Sequence, residues 1–290
     1  MQKTFSPSSL GCFEKCPKQY WFRYVAKVPV ESEGIEAFVG KRVHEVLERL
    51  YQFVADDMLP PIEKVIHRYH QLFDQHYDAK RIRIVREDTD VDFYRRNGVR
   101  SLENYYRRFY PFDSDQTLGL EKGLRFHLDD EKQYAVRGII DRIARAPDGV
   151  LEIHDFKTGR RVPRQAELDR DRQLGLYELG IRKLWNESGP IRLVWHYVLS
   201  NQVRTSQRSP EQREALRHET TAAIDRIRNE TQWKTKQSAL CGWCEYREHC
   251  PLFGGAAAEA AVEAAGAVPP ADTGETPKTR EESNGQFRLL

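Results

Sequence analysis

Residues 134–157 read YAVRGIIDRIARAPDGVLEIHDFK, a stretch that predicts two strands joined by a tight turn. The turn is residues 146–149, Ala-Pro-Asp-Gly, a strong hairpin signal, and a period of two flanks it. Residues two apart in a strand share a face, so Asp155 and Lys157 project together from the second strand. The hairpin is expected to bring Asp141, on the first strand, close to Asp155.

The pattern around this hairpin predicts a mixed α/β sheet. A strand precedes the hairpin, and a helix, a further strand and a final helix follow it. Two helices come first, the earlier one interrupted at Cys16-Pro17. In chain order the predicted elements are helices 6–24 and 38–55, strands 119–128, 134–144 and 150–157, helix 166–185, strand 191–199 and helix 210–231.

Residues 1–253 are expected to form one domain, because the motifs described below run through all of it. Residues 60–110 have a helical pattern without a recognisable chemical motif and are interpreted as a helical insertion. Residues 254–290 are rich in Ala, Gly, Pro and Glu and poor in large apolar side chains, so they cannot bury enough surface to offset chain entropy. We expect this segment to be a disordered tail.

Charge and hydropathy exclude some classes of protein. Charged residues make up 31% of the chain but nearly cancel, to +2, which excludes a polycationic nucleic-acid coat. The tail holds six acidic and three basic residues, so the rest carries about +5. No apolar run approaches the roughly 20 residues of a membrane span, and the N-terminus lacks a signal-peptide core. We expect a cytoplasmic protein that does not enter a membrane.

Two carboxylates and a lysine on paired strands suit one kind of chemistry. Asp141 and Asp155 offer hard oxygen ligands for Mg²⁺ or Mn²⁺, ions that keep several waters and bind phosphates. Lys157 could orient an attacking water or stabilise developing negative charge. The predicted reaction is phosphodiester hydrolysis. Taken alone, an Asp-Phe-Lys strand end is also compatible with a surface ion pair.

Four further side chains could join such a site. Gln173 and Tyr177 are four apart on a helix and share a face, although such a pair taken alone is more often a surface Gln beside a half-buried Tyr. His44 lies at the edge of an apolar helix face, where a core histidine is the alternative to a Mn²⁺ or Mg²⁺ ligand. Glu121, on the first strand, could act from behind the ligands.

Four motifs follow one another along the chain: Gly40-Lys-Arg-Val-His44, Val136-Arg-Gly-Ile-Ile-Asp141-Arg-Ile, Ile153-His-Asp155-Phe-Lys157-Thr-Gly and Gln173-Leu-Gly-Leu-Tyr177. In this order they resemble the motifs of the PD-(D/E)XK nucleases of the RecB branch, including the AddB nuclease domain and the CRISPR-associated RecB-like exonucleases. The resemblance covers most of residues 1–253 and implies a restriction-endonuclease-like core.

The resemblance also implies roles for individual residues. Its metal would be Mg²⁺ or Mn²⁺ and its substrate DNA, single-stranded or at ends. The implied metal ligands are His44, Asp141 and Asp155, the implied catalytic lysine is Lys157, and Gln173 and Tyr177 are implied to complete the site and contact DNA.

The cysteines have the spacing of ligands rather than of disulfides in a reducing compartment. Cys241, Cys244 and Cys250 form a compact three-thiolate group that lacks one ligand for a four-thiolate site. The family resemblance implies that Cys16, which precedes a proline, supplies the fourth thiolate to a [4Fe–4S] cluster that ties the chain ends together. Four thiolates also fit structural zinc. Cys12 is interpreted as a small buried hydrophobe.

The sequence therefore predicts a metal-dependent DNA exonuclease that acts in DNA repair, recombination or CRISPR-type DNA processing. The alternative is a scaffold that binds DNA or a helicase without cutting. A redox protein is a remoter alternative, since no flavin or nicotinamide fingerprint accompanies the cysteines. The chain has no Walker A motif, so a helicase or recombination partner would have to supply any ATP-driven unwinding.

Overall fold

The computed structural model describes residues 4–30 and 32–255. Its helices are α1 Pro7–Lys15, α2 Pro17–Tyr20, α3 Ile35–Ala55, α4 Ile62–His76, α5 Val91–Phe109, α6 Gln165–Leu168, α7 Arg172–Trp185 and α8 Pro210–Arg228. Its strands are β1 Glu33–Gly34, β2 Ile82–Arg83, β3 Gln116–His127, β4 Ala135–Arg145, β5 Leu151–Lys157, β6 Ile191–Tyr197 and β7 Gln202–Ser206. None of the helices described is long and apolar enough to cross a membrane.

A five-stranded mixed sheet forms the centre, in the order β3-β4-β5-β6-β7. Strand β5 pairs antiparallel with β4 and parallel with β6, and β3–β4 and β6–β7 are antiparallel pairs. A parallel pair needs a long crossover connection, which α6 and α7 provide between β5 and β6. The predicted mixed α/β sheet is confirmed.

Strand β5 is covered on both faces. Leu151 and Ile153 lie in an apolar cluster with Leu174 and Ile181 of α7. Phe156 lies in a separate cluster with α3, α4 and α5. The alternation read from the sequence is therefore correct for this strand: Asp155 and Lys157 share the α7 face by spacing, and Phe156 faces the opposite helices.

The insertion predicted at residues 60–110 contains more than helices. Helices α4 and α5 pack against α3, and the Tyr51 and Tyr105 hydroxyl oxygens are 2.6 Å apart. The Tyr105 ring meets Phe156 edge-on at 5.2 Å, so the insertion rests on the central sheet. Residues 82–83 form a short parallel pair with residues 33–34.

The two ends of the described chain pack together. Tyr20 stacks on Trp233 with ring centroids 5.8 Å apart, and Phe22 stacks on Tyr246 at 5.4 Å. Glu245 accepts hydrogen bonds from Gln19 at 3.0 Å and from Arg23. The segment that carries three of the cysteines is thus placed against the first helices by apolar and polar contacts.

Three elements differ from the sequence-based expectation. The helix predicted at 166–185 is two helices, because the Asp171 carboxylate accepts from Leu174 N–H at 2.9 Å and begins α7 anew. Strand β7 was not predicted; its polar residues lie at the sheet edge, where no apolar period is required. Helix α8 ends at Arg228. The predicted tail lies, except for residues 254–255, outside the described residues.

Candidate active site

The main chain of Phe156 holds two predicted ligands in place. Its N–H donates to Asp141 Oδ2 at 2.7 Å, and its carbonyl oxygen accepts from His44 Nε2 at 2.8 Å. Each ligand therefore has one atom tied to β5 and another directed at the other ligand: Asp141 Oδ1 and His44 Nδ1 are 3.5 Å apart. A histidine whose far nitrogen donates to a carbonyl is in the tautomer that binds a metal through the near nitrogen.

Glu121 completes a group of three donors with His44 and Asp141. Their ligand atoms all lie within 4.8 Å of one another. Glu121 and Asp141 occupy corresponding positions of the β3–β4 ladder, flanked by paired residues on both sides. The backbone of Glu121 has φ +43°, an uncommon value for a non-glycine residue, so β3 bends where its carboxylate meets the other two donors.

Charge crowding perturbs the titration of this group. Burial lowers the pKa of His44, but the hydrogen bond and negative charge of Asp141 outweigh it and raise the pKa to about 9. Burial and then the charge of Asp141 raise the pKa of Glu121 to about 7. His44 and Glu121 therefore retain protons that a bound cation would displace.

Lys157 lies in a second cluster beside the donors. Its ammonium is 2.6 Å from Asp155 Oδ2 and donates to Gln173 Oε1 at 2.9 Å. The Gln173 amide nitrogen in turn donates to Asp155 Oδ1 at 3.0 Å and to the Tyr177 hydroxyl at 3.3 Å. Gln173 thus ties together the other three residues predicted for this side of the site.

Asp155 lies between the two clusters. It is 3% exposed, and burial raises its pKa to about 6 although the Lys157 charge opposes the shift. Burial alone would lower the pKa of Lys157, but Asp155 raises it, so the lysine is an ammonium. Asp155 is not within 4.8 Å of all three donors; its carboxylate contacts Lys157 and Gln173.

The Tyr177 ring occupies the space next to Gly138 of β4, which has no side chain. A Cβ at Gly138 would lie 2.3 Å from the Tyr177 ring, so only glycine at 138 leaves room for it. Burial raises the pKa of Tyr177 to about 12. Its hydroxyl is therefore protonated and can donate a hydrogen bond at neutral pH.

The donor set fits a hard divalent cation. Two carboxylates and one imidazole converge, and the one ligand atom that each offers lies within 4.8 Å of the other two. Mg²⁺ and Mn²⁺ prefer oxygen ligands and retain waters, and Mn²⁺ also accepts imidazole. The carboxylate of Asp155 adds further negative charge next to this group, as its coupling to Asp141 and His44 indicates.

Comparison with known proteins identifies the family. A model of the PD-(D/E)XK nuclease superfamily matches residues 4–251. The chain belongs to this superfamily.

Solved structures and curated proteins add little to this identification. A crystal structure from Eubacterium rectale, provisionally assigned as an exonuclease, is 9% identical with a TM-score of 0.48 and covers 82% of this chain and 91% of its own. A crystal structure of SSO0001 is 12% identical with a TM-score of 0.33, covering 82% and 93%. A search of curated proteins finds no match.

The superfamily and the fold class predicted from the sequence are confirmed, and the roles of the individual site residues stay predictions. Glu121, expected from the sequence to support the ligands from behind, lies in the three-donor group itself. The sequence contains the information needed to place Glu121. If the turn between β3 and β4 is centred on the polar residues after Leu128, Glu121 lies opposite Asp141.

The cysteines of the nuclease lie near the chain ends as expected. Cys12 is 6% exposed and packs in an apolar cluster, in agreement with its interpretation as a buried hydrophobe. Cys16, Cys241, Cys244 and Cys250 are partly exposed free thiols. No three cysteine sulfurs among the described residues lie within 4.8 Å of one another.

A second group of donors, on the face of β5 that carries Phe156, is satisfied internally. Asp115, Glu152 and His154 lie within 4.8 Å of one another, but Arg142, which is 1% exposed, donates to Asp115 through both terminal nitrogens. His154 Nδ1 is 2.8 Å from His196 Nε2. Burial lowers the pKa of His154 to about 3, so the ring is neutral. The nuclease uses this network to join sheet and helices.

Proposed function

We propose that the chain is a metal-dependent DNA exonuclease that hydrolyses phosphodiester bonds with Mg²⁺ or Mn²⁺. One observation carries the proposal: the partly buried ammonium of Lys157 contacts Asp155 and Gln173, and Asp155 interacts electrostatically with the donors Asp141 and His44. The superfamily supports hydrolysis of a nucleic acid.

The chain's own residues have distinct tasks in this proposal. A bound cation supplies Lewis acidity toward the scissile phosphate and lowers the pKa of a water. Asp141, His44 and Asp155 would hold the cation, with Glu121 as a further ligand. Lys157 donates hydrogen bonds to the attacking water or to the phosphate oxygen that gains charge. Gln173 positions Asp155 and Lys157, and the Tyr177 hydroxyl restrains Gln173.

The main chain of Phe156 holds two of the proposed ligands in position. Because its N–H and carbonyl orient Asp141 and His44, the remaining ligand atom of each residue is in place before a cation binds. Preorganised donors cost little reorganisation during the reaction. The same strand carries Asp155 and Lys157, so the cation site and the ammonium are held at a fixed separation.

The choice of DNA ends as the substrate rests on the resemblance to the RecB branch. We infer a role in DNA repair, recombination or CRISPR-type DNA processing, on single strands or at ends. A helicase or recombination partner would supply unwound DNA. These assignments are more specific than membership of the superfamily.

We also propose that Cys16, Cys241, Cys244 and Cys250 bind a [4Fe–4S] cluster. Four thiolates fit either a [4Fe–4S] cluster or structural zinc, and the resemblance to the RecB branch favours the cluster. Iron, sulfide and zinc analysis after anaerobic purification tests this; stoichiometric zinc without sulfide would overturn it.

The decisive experiment for the function is digestion of end-labelled single- and double-stranded DNA with Mn²⁺. Wild type should shorten the label progressively, Lys157→Ala should not, and Lys64→Ala, on the exposed face of α4, should match wild type. If wild type and Lys157→Ala give the same trace, the catalytic role is wrong. If wild type binds DNA without cutting it, the non-cleaving scaffold is the correct alternative.

A further inference from the structure

The face of the β3–β4 hairpin that carries two metal donors continues outward past them. In the register of the two strands, Glu121 corresponds to Asp141, Gly123 pairs with Ile139, and Arg125 pairs with Arg137. Directly opposite residues in an antiparallel pair project to the same face. The hairpin therefore presents three successive tiers: two carboxylates, an isoleucine beside a glycine, and two arginines.

Contacts of the intervening residues show which face this is. A Cβ at Gly138 would meet the Tyr177 ring, and Ile140 packs in the α7 cluster, so these two residues face α7. Ile139 and Asp141 face the other side, as the contact of Asp141 with His44 shows. All three tiers lie on that second side.

The outer two tiers are open to solvent. Ile139 is 53% exposed, an unusual exposure for a large apolar side chain in the middle of a strand. A Cβ at Gly123 would meet nothing within 4 Å, so the surface beside Ile139 is unoccupied. Arg125 and Arg137 are both exposed.

The arginine pair is electrostatically unfavourable as it stands. Like charges directly opposite one another on two strands are destabilising. Within residues 4–30 and 32–255, Arg125 donates to the Thr4 hydroxyl at 3.3 Å, and neither guanidinium has a carboxylate partner. An anion bound between them would remove the repulsion and use their bidentate donors.

We propose that Arg125 and Arg137 clamp a backbone phosphate of the nucleic-acid substrate. Four residues of strand place this phosphate roughly 13 Å from the Glu121–Asp141 tier. Ile139 and the bare surface at Gly123 lie between, where a sugar or base of the same strand packs. The inference rests on the proposed function and adds the path by which the substrate reaches the metal donors.

The test measures DNA binding in a Lys157→Ala background, which prevents digestion. Binding of a labelled oligonucleotide is followed over a series of NaCl concentrations. Arg125→Gln with Arg137→Gln should weaken binding about tenfold at low salt and reduce the slope of log K against log salt by about 0.7 to 0.9, one phosphate contact. Arg125→Lys with Arg137→Lys should retain the slope.

The matched control is Lys64→Gln with Arg68→Gln, which removes two exposed charges from α4 and should leave the slope unchanged. An unchanged slope in the Arg125/Arg137 glutamine variant would overturn this inference and leave the proposed function standing. A slope reduced equally by the control also overturns it, because net charge would then be the cause. If the Lys157→Ala protein and wild type both fail to bind DNA, the proposed function fails and this inference with it.

Substrate length provides an independent measurement in the catalytically intact protein. The glutamine pair should raise KM on long single strands, whereas oligonucleotides too short to span roughly 13 Å from the scissile bond should be cut at the wild-type rate. Equal losses on short and long substrates would contradict a remote phosphate contact.

Discussion

Phe156 contributes its side chain to the core and its main chain to the site. The main-chain pairing of β5 with β4 ends before Phe156, so its N–H and carbonyl are available to Asp141 and His44. Strands β4 and β5 therefore lie side by side, although their main-chain pairing stops at Arg142 and His154. Beyond that pair, the Asp141 carboxylate replaces a main-chain partner of β5.

Substitution of Gln173 should distinguish the positioning of Asp155 and Lys157 from the binding of substrate. Gln173→Ala removes the hydrogen bonds to Asp155, Lys157 and Tyr177 while leaving the three-donor group intact. We expect kcat to fall about 10- to 100-fold, with a much smaller change in KM. Steady-state digestion kinetics measure both. Gln75→Ala, exposed on α4, should behave as wild type; a rise in KM at constant kcat would assign Gln173 to substrate binding instead.

The perturbed titration of the donors predicts pH-dependent cation binding. His44 carries a proton below about pH 9, Glu121 below about pH 7 and Asp155 below about pH 6, and a cation must displace these protons. Raising the pH removes the competing protons, so Mn²⁺ affinity should rise between pH 6 and pH 9. Calorimetry in buffers of different ionisation enthalpy measures the protons released.

Substitution of His44 tests whether this residue causes the pH dependence of Mn²⁺ affinity at alkaline pH. His44→Ala lacks the group with the highest of the three pKa values, so its Mn²⁺ affinity should be weaker and should level off by about pH 8. Proton release at pH 8 should fall correspondingly. An affinity for Mn²⁺ that is flat from pH 6 to 9 in the wild-type protein would contradict the assignment of these donors.

At the scale of the elements, β3 and β4 both change faces at the active site. Leu120 packs against the α3 cluster and Leu124 lies in the α7 cluster, although an even spacing should keep them on one side. The positive φ of Glu121 lies between them. Sequence could not predict this bend, because such a conformation is usually marked by Gly or Asn and here falls on a glutamate.

The contact between β4 and α7 gives a prediction at the same scale. Gly138→Ala would place a methyl group about 2.3 Å from the Tyr177 ring, so α7 must shift away from the sheet and move Gln173 with it. We expect a loss of stability of about 1–3 kcal/mol and reduced cleavage. Denaturant unfolding and digestion measure the two effects.

The control for that prediction lies within α1. Gly11→Ala meets nothing within 4 Å and replaces glycine in a helix, so it should leave stability unchanged or slightly increased. Equal stability of Gly138→Ala and wild type would mean that Tyr177 can move freely, and the proposed restraint on Gln173 would be wrong.

At the scale of the whole molecule, the sequence predicted the parts that depend on periodicity. The hairpin at residues 146–149, the crossover helix and the strand at 191–199 follow from spacing and turn residues, as does the pairing of Asp155 with Lys157. Strand β7 did not follow, because an edge strand needs no apolar face. The Arg142–Asp115 pair did not follow either, since its partners meet only after the insertion folds onto the sheet.

The chain ends are joined by two kinds of contact, one described and one proposed. Stacking of Trp233 on Tyr20 and of Tyr246 on Phe22 places the cysteine segment against residues at and just after the end of α2. A cross-link between Cys16 and the 241–250 segment would add to this by closing most of the chain into a loop. Its loss should therefore weaken the fold more than it alters the active site.

Substitution of individual cysteines tests whether the proposed cluster stabilises the fold without taking part in DNA cleavage. A cross-link that closes so long a loop is worth about 5 kcal/mol, so Cys16→Ala should lose iron and sulfide and lower Tm by roughly 10–20 °C. At low temperature it should still cut DNA with near wild-type kcat, because no cysteine lies among the catalytic residues. Cys12→Ala, which removes a buried thiol, should keep iron and sulfide. Loss of cleavage in a folded Cys16→Ala protein would show that the cluster acts in the reaction rather than in holding the two ends together.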